Sequence, residues 1–127
     1  MRVRDQFVQA GLSIAVPNVP SDHRSGIDVS FRLSADHAQD IAAVVAFLHS
    51  KSTGPIWLVG TSNGSVSAAN AAASLGSSKV GGVVLTSTVW ANGLPLGKIA
   101  VPTLVVHNRD DRCRSSPHRD GQCFDCR

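Results

Sequence analysis

A serine hydroxyl acts as an acyl nucleophile when the backbone presents it and a base can take its proton. One stretch of the chain is built for the first requirement. Ile56-Trp57-Leu58-Val59 is an apolar run, Gly60-Thr61-Ser62-Asn63-Gly64 follows it as Gly-x-Ser-x-Gly, and Val66, Ala69 and Ala73 then recur at helical spacing. The pattern predicts a strand, a sharp turn and a helix, with Ser62 at the apex in a strained conformation. Gly60 and Gly64 are expected to remove side chains that would collide with the adjoining strand or helix. The Asn63 N–H falls at the helix start, where it lacks an intrahelical partner and can donate to a developing oxyanion. The plain alternative is an ordinary strand-to-helix loop.

Other chemistry-bearing residues are less organised. His23 follows a loop containing Pro17 and Pro20, either near a pocket or simply solvated. Cys123-Phe124-Asp125-Cys126 is a Cys-x-x-Cys, with Cys113, His118 and His107 at other points of the same region. A zinc site needs four ligands in tetrahedral reach, and one such pair is an incomplete set. A redox Cys-x-x-Cys would open a helix after a strand. No metal site is expected from these residues.

The elements that must position Ser62 follow from the apolar patterning. Phe7 and Val8 read as the end of a helix packed on a sheet, with Gly11 as its C-cap. Leu12–Val16 reads as a short buried strand and residues 24–33 as loop. Ser34 caps a helix whose Ile41, Val44, Val45 and Leu48 make one apolar face, with His37 and Asp40 away from that stripe. The Ala-rich helix after Ser62 suits deep burial. Gly82–Leu85 and Thr103–His107 read as further strands, and residues 90–98 as a loop at a strand's carboxyl end. This alternation predicts an α/β fold, with a parallel sheet of about four strands flanked by helices. The domain spans residues 1–112, and residues 113–127 form an irregular tail.

The Gly60–Gly64 stretch resembles the nucleophile elbow of the α/β-hydrolase superfamily. In element order, residues 10–113 resemble the second half of such a domain. The resemblance implies Ser62 as nucleophile, Asn63 as oxyanion donor, and hydrolysis of an ester or related acyl bond through an acyl-enzyme. The substrate would be a small acyl compound, and no cofactor is implied. His107-Asn108-Arg109-Asp110-Asp111-Arg112 looks like the superfamily's acid-bearing turn, with Asp111 at the best-matching position and Asp110 as the fallback. Asn108 stands where glycine is usual, and asparagine also tolerates a positive φ. In the superfamily the base follows the acid after one more strand. Only His118 follows Asp111, without an apolar run between them, so it is the candidate base by position alone. The superfamily's first strands, and the loop bearing its second oxyanion N–H, have no counterpart. The expectation is a partial hydrolase chain, weakly active or inactive alone. The alternative is a non-catalytic remnant or interaction domain that keeps the fold without the chemistry.

Composition narrows the partners. A chain of 127 residues is one domain or part of one. The net charge is only +3. Arg109, Arg112, Arg114, Arg119 and Arg127 alternate with Asp110, Asp111, Asp120 and Asp125, and no aromatic platform is interleaved. A dedicated nucleic-acid surface is therefore not expected. No apolar run has the length of a membrane span, and no leader pattern follows the charged start. The chain is expected to be cytoplasmic, with no membrane or nucleic-acid partner. Nothing in the sequence speaks to its oligomeric state.

Overall fold

Successive strands joined through a helix pair in parallel, because the connection carries the chain back along the sheet before the next strand begins. The computed structural model describes residues 4–89 and 92–108 and has this arrangement at its centre. Strands β1 (Trp57–Thr61), β2 (Gly82–Thr86) and β3 (Thr103–Val106) form one sheet in that order, and both pairings are parallel. Thr61 pairs with Thr86, and Thr86 with Val106, so all three carboxyl ends share one edge. The helices are α1 (Arg4–Gln9), α2 (Val29–Arg32), α3 (Ala35–His49) and α4 (Asn63–Leu75). Helix α4 carries the chain from β1 to β2, and a 3₁₀ turn at Leu96–Lys98 lies in the β2–β3 connection. Among the described residues no helix is long and apolar enough to cross a membrane.

Helix α4 is the hub of the core. Val66, Ala69, Ala71 and Ala72 are fully buried, and three of these four carry only a methyl group. That lets the helix lie close to the sheet on one side and to α3 on the other. Val45 of α3, Ala69 and Ala72 of α4, and Val83 and Leu85 of β2 form the cluster, with Leu58 packed against it. The start of α3 is as expected: the Ser34 hydroxyl accepts from the His37 N–H at 3.1 Å.

This packing lies on one face of the sheet. On the other face Trp57, Val59, Leu104 and Val106 are each about half exposed. Parallel sheets are ordinarily covered on both faces. Among the described residues this one is covered on one.

Several expectations need correction. The sheet has three strands among the described residues, because Leu12–Val16 takes no regular structure. Leu12 and Val16 are exposed. An extended run becomes a strand only where a neighbouring strand takes up its backbone hydrogen bonds; among the described residues none does, and the Leu12 N–H goes to the Phe7 carbonyl of α1 instead. Helix α1 ends as expected, with Gly11 at φ 82. It buries no residue, however, and Phe7 and Val8 lie exposed instead of on the sheet. Residues 24–33 are not all loop, since α2 falls within them. Its cause is Asp28, whose carboxylate accepts from the Phe31 N–H and the Ser30 hydroxyl, each at 2.8 Å. An aspartate cap nucleates a turn that no apolar periodicity announces. Strand β3 stops at Val106, one residue short of His107.

Candidate active site

The turn between β1 and α4 holds Ser62 in a conformation that a serine rarely adopts. Its φ is 53 and its ψ −128. These are the dihedrals of the first central residue of a type II′ turn, a position dominated by glycine. A serine there carries strain of about 1–3 kcal/mol, and such strain persists only where the surroundings over-determine it. They do so here through both backbone groups of Ser62. Its N–H donates to the Thr86 carbonyl of β2 at 3.0 Å. Its carbonyl accepts from the Ser65 N–H at 2.9 Å and from the Ser65 hydroxyl at 2.6 Å. Ser65 is fully buried, whereas Ser62 is exposed and its side chain makes no capping bond to α4.

Gly60 makes this crossing possible. A Cβ on Gly60 would overlap the Gly64 carbonyl oxygen and come within 2.6 Å of the carbonyl carbon and 2.7 Å of Ser65 Cα. Gly64 behaves otherwise than expected. A Cβ built there meets nothing within 4 Å outside its own helix backbone. It is the backbone of Gly64 that comes close to Gly60, not the space its missing side chain leaves.

The neighbouring strand ends add further groups at the same edge. Ser87, just past β2, also has a positive φ, 44, and its N–H donates to the Val106 carbonyl at 3.0 Å. The hydroxyls of Thr61 and Thr86 are hydrogen-bonded to each other at 2.7 Å. Thr88 is buried with its hydroxyl unpartnered among the described residues. Asn63 is the first residue of α4, so its N–H belongs to the helix-start donors that lack an intrahelical acceptor. Asp110, Asp111 and His118 lie outside the described residues, as do Cys113, Cys123 and Cys126. His23 stacks on Phe31 with ring centroids 3.9 Å apart. It lines an open cavity of about 450 Å³ with Gly26, Asp28, Ser30, Phe31 and Ser34, to which Ser62 contributes nothing.

A polar cluster that the sequence did not reveal ties α2, α3 and α4 together. Arg32 Nη1 donates to Ser67 Oγ at 2.9 Å, and His37 Nε2 lies 2.9 Å from the same oxygen. Asn70 Nδ2 donates to the carbonyls of Arg32 and Ser34. The Ser67 oxygen accepts from Arg32 and has a second lone pair and its own proton to offer His37 Nε2, so which of the two donates depends on the imidazole tautomer. His37 Nδ1 is 4.0 Å from the Asp40 carboxylate, too far for a hydrogen bond. The order serine, histidine, aspartate is that of a catalytic triad. Ser67 and His37, however, are only 8% and 6% exposed, and Arg32 occupies the serine oxygen. The cluster holds helices together and presents nothing to a substrate. The expectation that His37 lies away from the apolar stripe of α3 is thus corrected: it is buried, and its place four residues before Ile41, on the same helical face, is the signal that marks it. Burial pushes the His37 imidazole below its ordinary value of 6.5, and the Arg32 charge adds to the effect while Asp40 opposes it.

No family model, curated protein or solved structure matches the chain.

Two measurements check this geometry. Gly60→Ala is expected to lower unfolding free energy by about 1–3 kcal/mol or more, the usual cost of forcing atoms into a packed site. Gly64→Ala is expected to be neutral or stabilising, by up to about 1 kcal/mol, from helix propensity. Urea titrations that rank the two the other way would contradict the crossing. The second check is pH. The folded-state value of His37 lies below 6.5, so the unfolded chain binds that proton more readily. Stability from this group is then complete above about pH 6.5 and falls as the pH drops through that value towards the folded-state one. Thermal unfolding of the wild type should show this acid-side loss, and His37→Gln should lack it. Identical pH profiles would remove the assignment.

Proposed function

We propose that the chain is a serine hydrolase acting on carboxylic esters or related acyl bonds, with Ser62 as the nucleophile. The observation that carries the reading is the backbone of Ser62: an exposed serine held at φ 53 and ψ −128, where a parallel strand ends and a helix begins. Strain of this kind at a solvent-facing hydroxyl is a mark of functional sites. The carboxyl edge of a parallel sheet is also where ligands of open α/β sheets bind. The resemblance to the α/β-hydrolase elbow supports the same assignment.

In this reading Ser62 Oγ attacks the acyl carbon while its proton passes to a base. The carbonyl π pair becomes an oxyanion, and the Asn63 N–H donates to it. Collapse of the tetrahedral adduct expels the alcohol, and water then hydrolyses the acyl-enzyme. Asp111, five positions beyond the end of β3 in the chain, is the proposed acid, with His118 the proposed base by chain order.

The test is covalent labelling. A fluorophosphonate is expected to add one phosphonyl group to the wild type, released from fluoride and mapped to Ser62 by peptide mass spectrometry. Ser62→Ala should take up none, and slow hydrolysis of short acyl esters should disappear with it. Label on another serine, or ester turnover unchanged in Ser62→Ala, would refute the assignment.

A further inference from the structure

Among the chain's asparagines, Asn63 and Asn92 are the ones followed by glycine, Gly64 and Gly93. The backbone nitrogen that follows an asparagine can close on the side-chain carbonyl carbon, Cγ, to form a succinimide ring. Glycine in the next position assists twice. It has no Cβ to shield its nitrogen, and its backbone turns freely. Asparagine is among the thermolabile residues. The sequence alone makes the two sites equivalent, and the structure separates them.

Asn63 and Gly64 are the first two residues of α4. Ring closure needs rotation about the bond from Asn63 Cα to its carbonyl carbon, and that rotation takes the residue out of the helix. The surroundings resist it. The Ser62 carbonyl is held by the Ser65 N–H and hydroxyl, and the Gly64 carbonyl lies against Gly60 at the crossing. Asn92 and Gly93 form an exposed turn in the connection that leaves the carboxyl end of β2, with Gly93 at φ 84. Among the described residues neither the Gly93 N–H nor the Asn92 side chain has a hydrogen-bond partner. Leu94, the next residue, packs against both buried clusters, so the turn is anchored behind while its own backbone rotates without breaking a bond. Water reaches both residues.

We propose that Asn92 is a site of spontaneous deamidation in the folded protein, and that α4 protects Asn63 from the same reaction. The Gly93 nitrogen attacks Asn92 Cγ and a carbon–nitrogen bond forms. The side-chain carbon–nitrogen bond breaks, and the side-chain nitrogen leaves as ammonia with the proton that Gly93 gives up. Water then adds to one carbonyl of the succinimide. Breaking the bond from Cγ to the ring nitrogen gives aspartate. Breaking the bond from the backbone carbonyl carbon gives isoaspartate, whose main chain runs through Cγ. Water is the co-reactant, and nothing is oxidised or reduced. Either product places a carboxylate on the connection beyond β2. The reaction does not depend on the role of Ser62.

The experiment ages the full chain at mildly alkaline pH in heavy-oxygen water, once folded and once in concentrated urea, with circular dichroism reporting the fold. Peptide mass spectrometry then locates aspartate and isoaspartate. Ring opening during the incubation incorporates heavy oxygen, which separates it from deamidation during later digestion in ordinary water. In the folded chain Asn92 is expected to acquire the label at least about tenfold faster than Asn63, a ratio that a local opening cost of about 1.4 kcal/mol supplies. In urea the two rates should converge, because both sites are then free Asn-Gly pairs. Asn92→Gln, whose longer side chain would have to close a larger ring, should remove the Asn92 signal and leave Asn63 unchanged. A folded chain in which Asn92 stays unlabelled overturns the site. Equal rates at Asn63 and Asn92 in the folded chain, or an Asn63 that stays slow in urea, overturn protection by α4.

Discussion

The close passage of Gly60 beneath the first turn of α4 is the constraint on which the rest of the structure depends. The Gly64 carbonyl and Ser65 Cα occupy the volume that any side chain at position 60 would need. Because β1 and α4 meet there without a Cβ between them, the chain reverses within very few residues. Ser62 is left at the reversal with a glycine-like backbone and no room to relax, since its N–H is fixed to β2 and its carbonyl to Ser65. The same contact sets where α4 runs. A helix held that close to the sheet must present small side chains, and Ala68, Ala69, Ala71 and Ala72 meet that need.

How much of this was legible depended on the range of the interaction concerned. The elbow could be read because glycine, serine and an apolar run mark it within nine consecutive residues, Ile56 to Gly64. Strands β2 and β3 could be read because a continuous apolar run bounded by turn residues has few other uses in an α/β chain. Helix α2 could not, because its cause is one carboxylate, that of Asp28, closing on two donors. Leu12–Val16 has the composition of a strand, but strandedness belongs to a pair and not to a run. The cluster of Arg32, His37, Ser67 and Asn70 joins residues thirty or more positions apart, and no periodicity records such bonds. Of the chemistry proposed, only the presentation of Ser62 is legible in the residues themselves, while Asp111 and His118 follow from likeness.

The uncovered face of the sheet is organised as well. A Cβ on Gly82 would overlap the six-membered ring of Trp57, so the indole lies across β2 where glycine leaves space. Trp57 shields one end of that face while Val59, Leu104 and Val106 remain open. The sheet edge along β1 is also unpaired on its outer side among the described residues, and it carries neither charge nor proline. Natural sheets blunt such edges with those very devices. Among the described residues an apolar edge and an apolar face are thus left adjacent to each other, a combination that favours association.

The central claim, that Ser62 is held in a glycine-like conformation by the crossing at Gly60, is tested most directly by comparing the unfolding free energies of Ser62→Gly and Ser62→Ala. Alanine keeps the Cβ and its strain, whereas glycine removes both. Relief of about 1–3 kcal/mol of strain, less the 0.5–1 kcal/mol or so that glycine costs through the unfolded chain, should leave Ser62→Gly more stable than Ser62→Ala by about 1 kcal/mol. If Ser62 instead lay within a regular helix, glycine would be the less stable variant by about the same amount. That result would contradict the strained turn and everything derived from it.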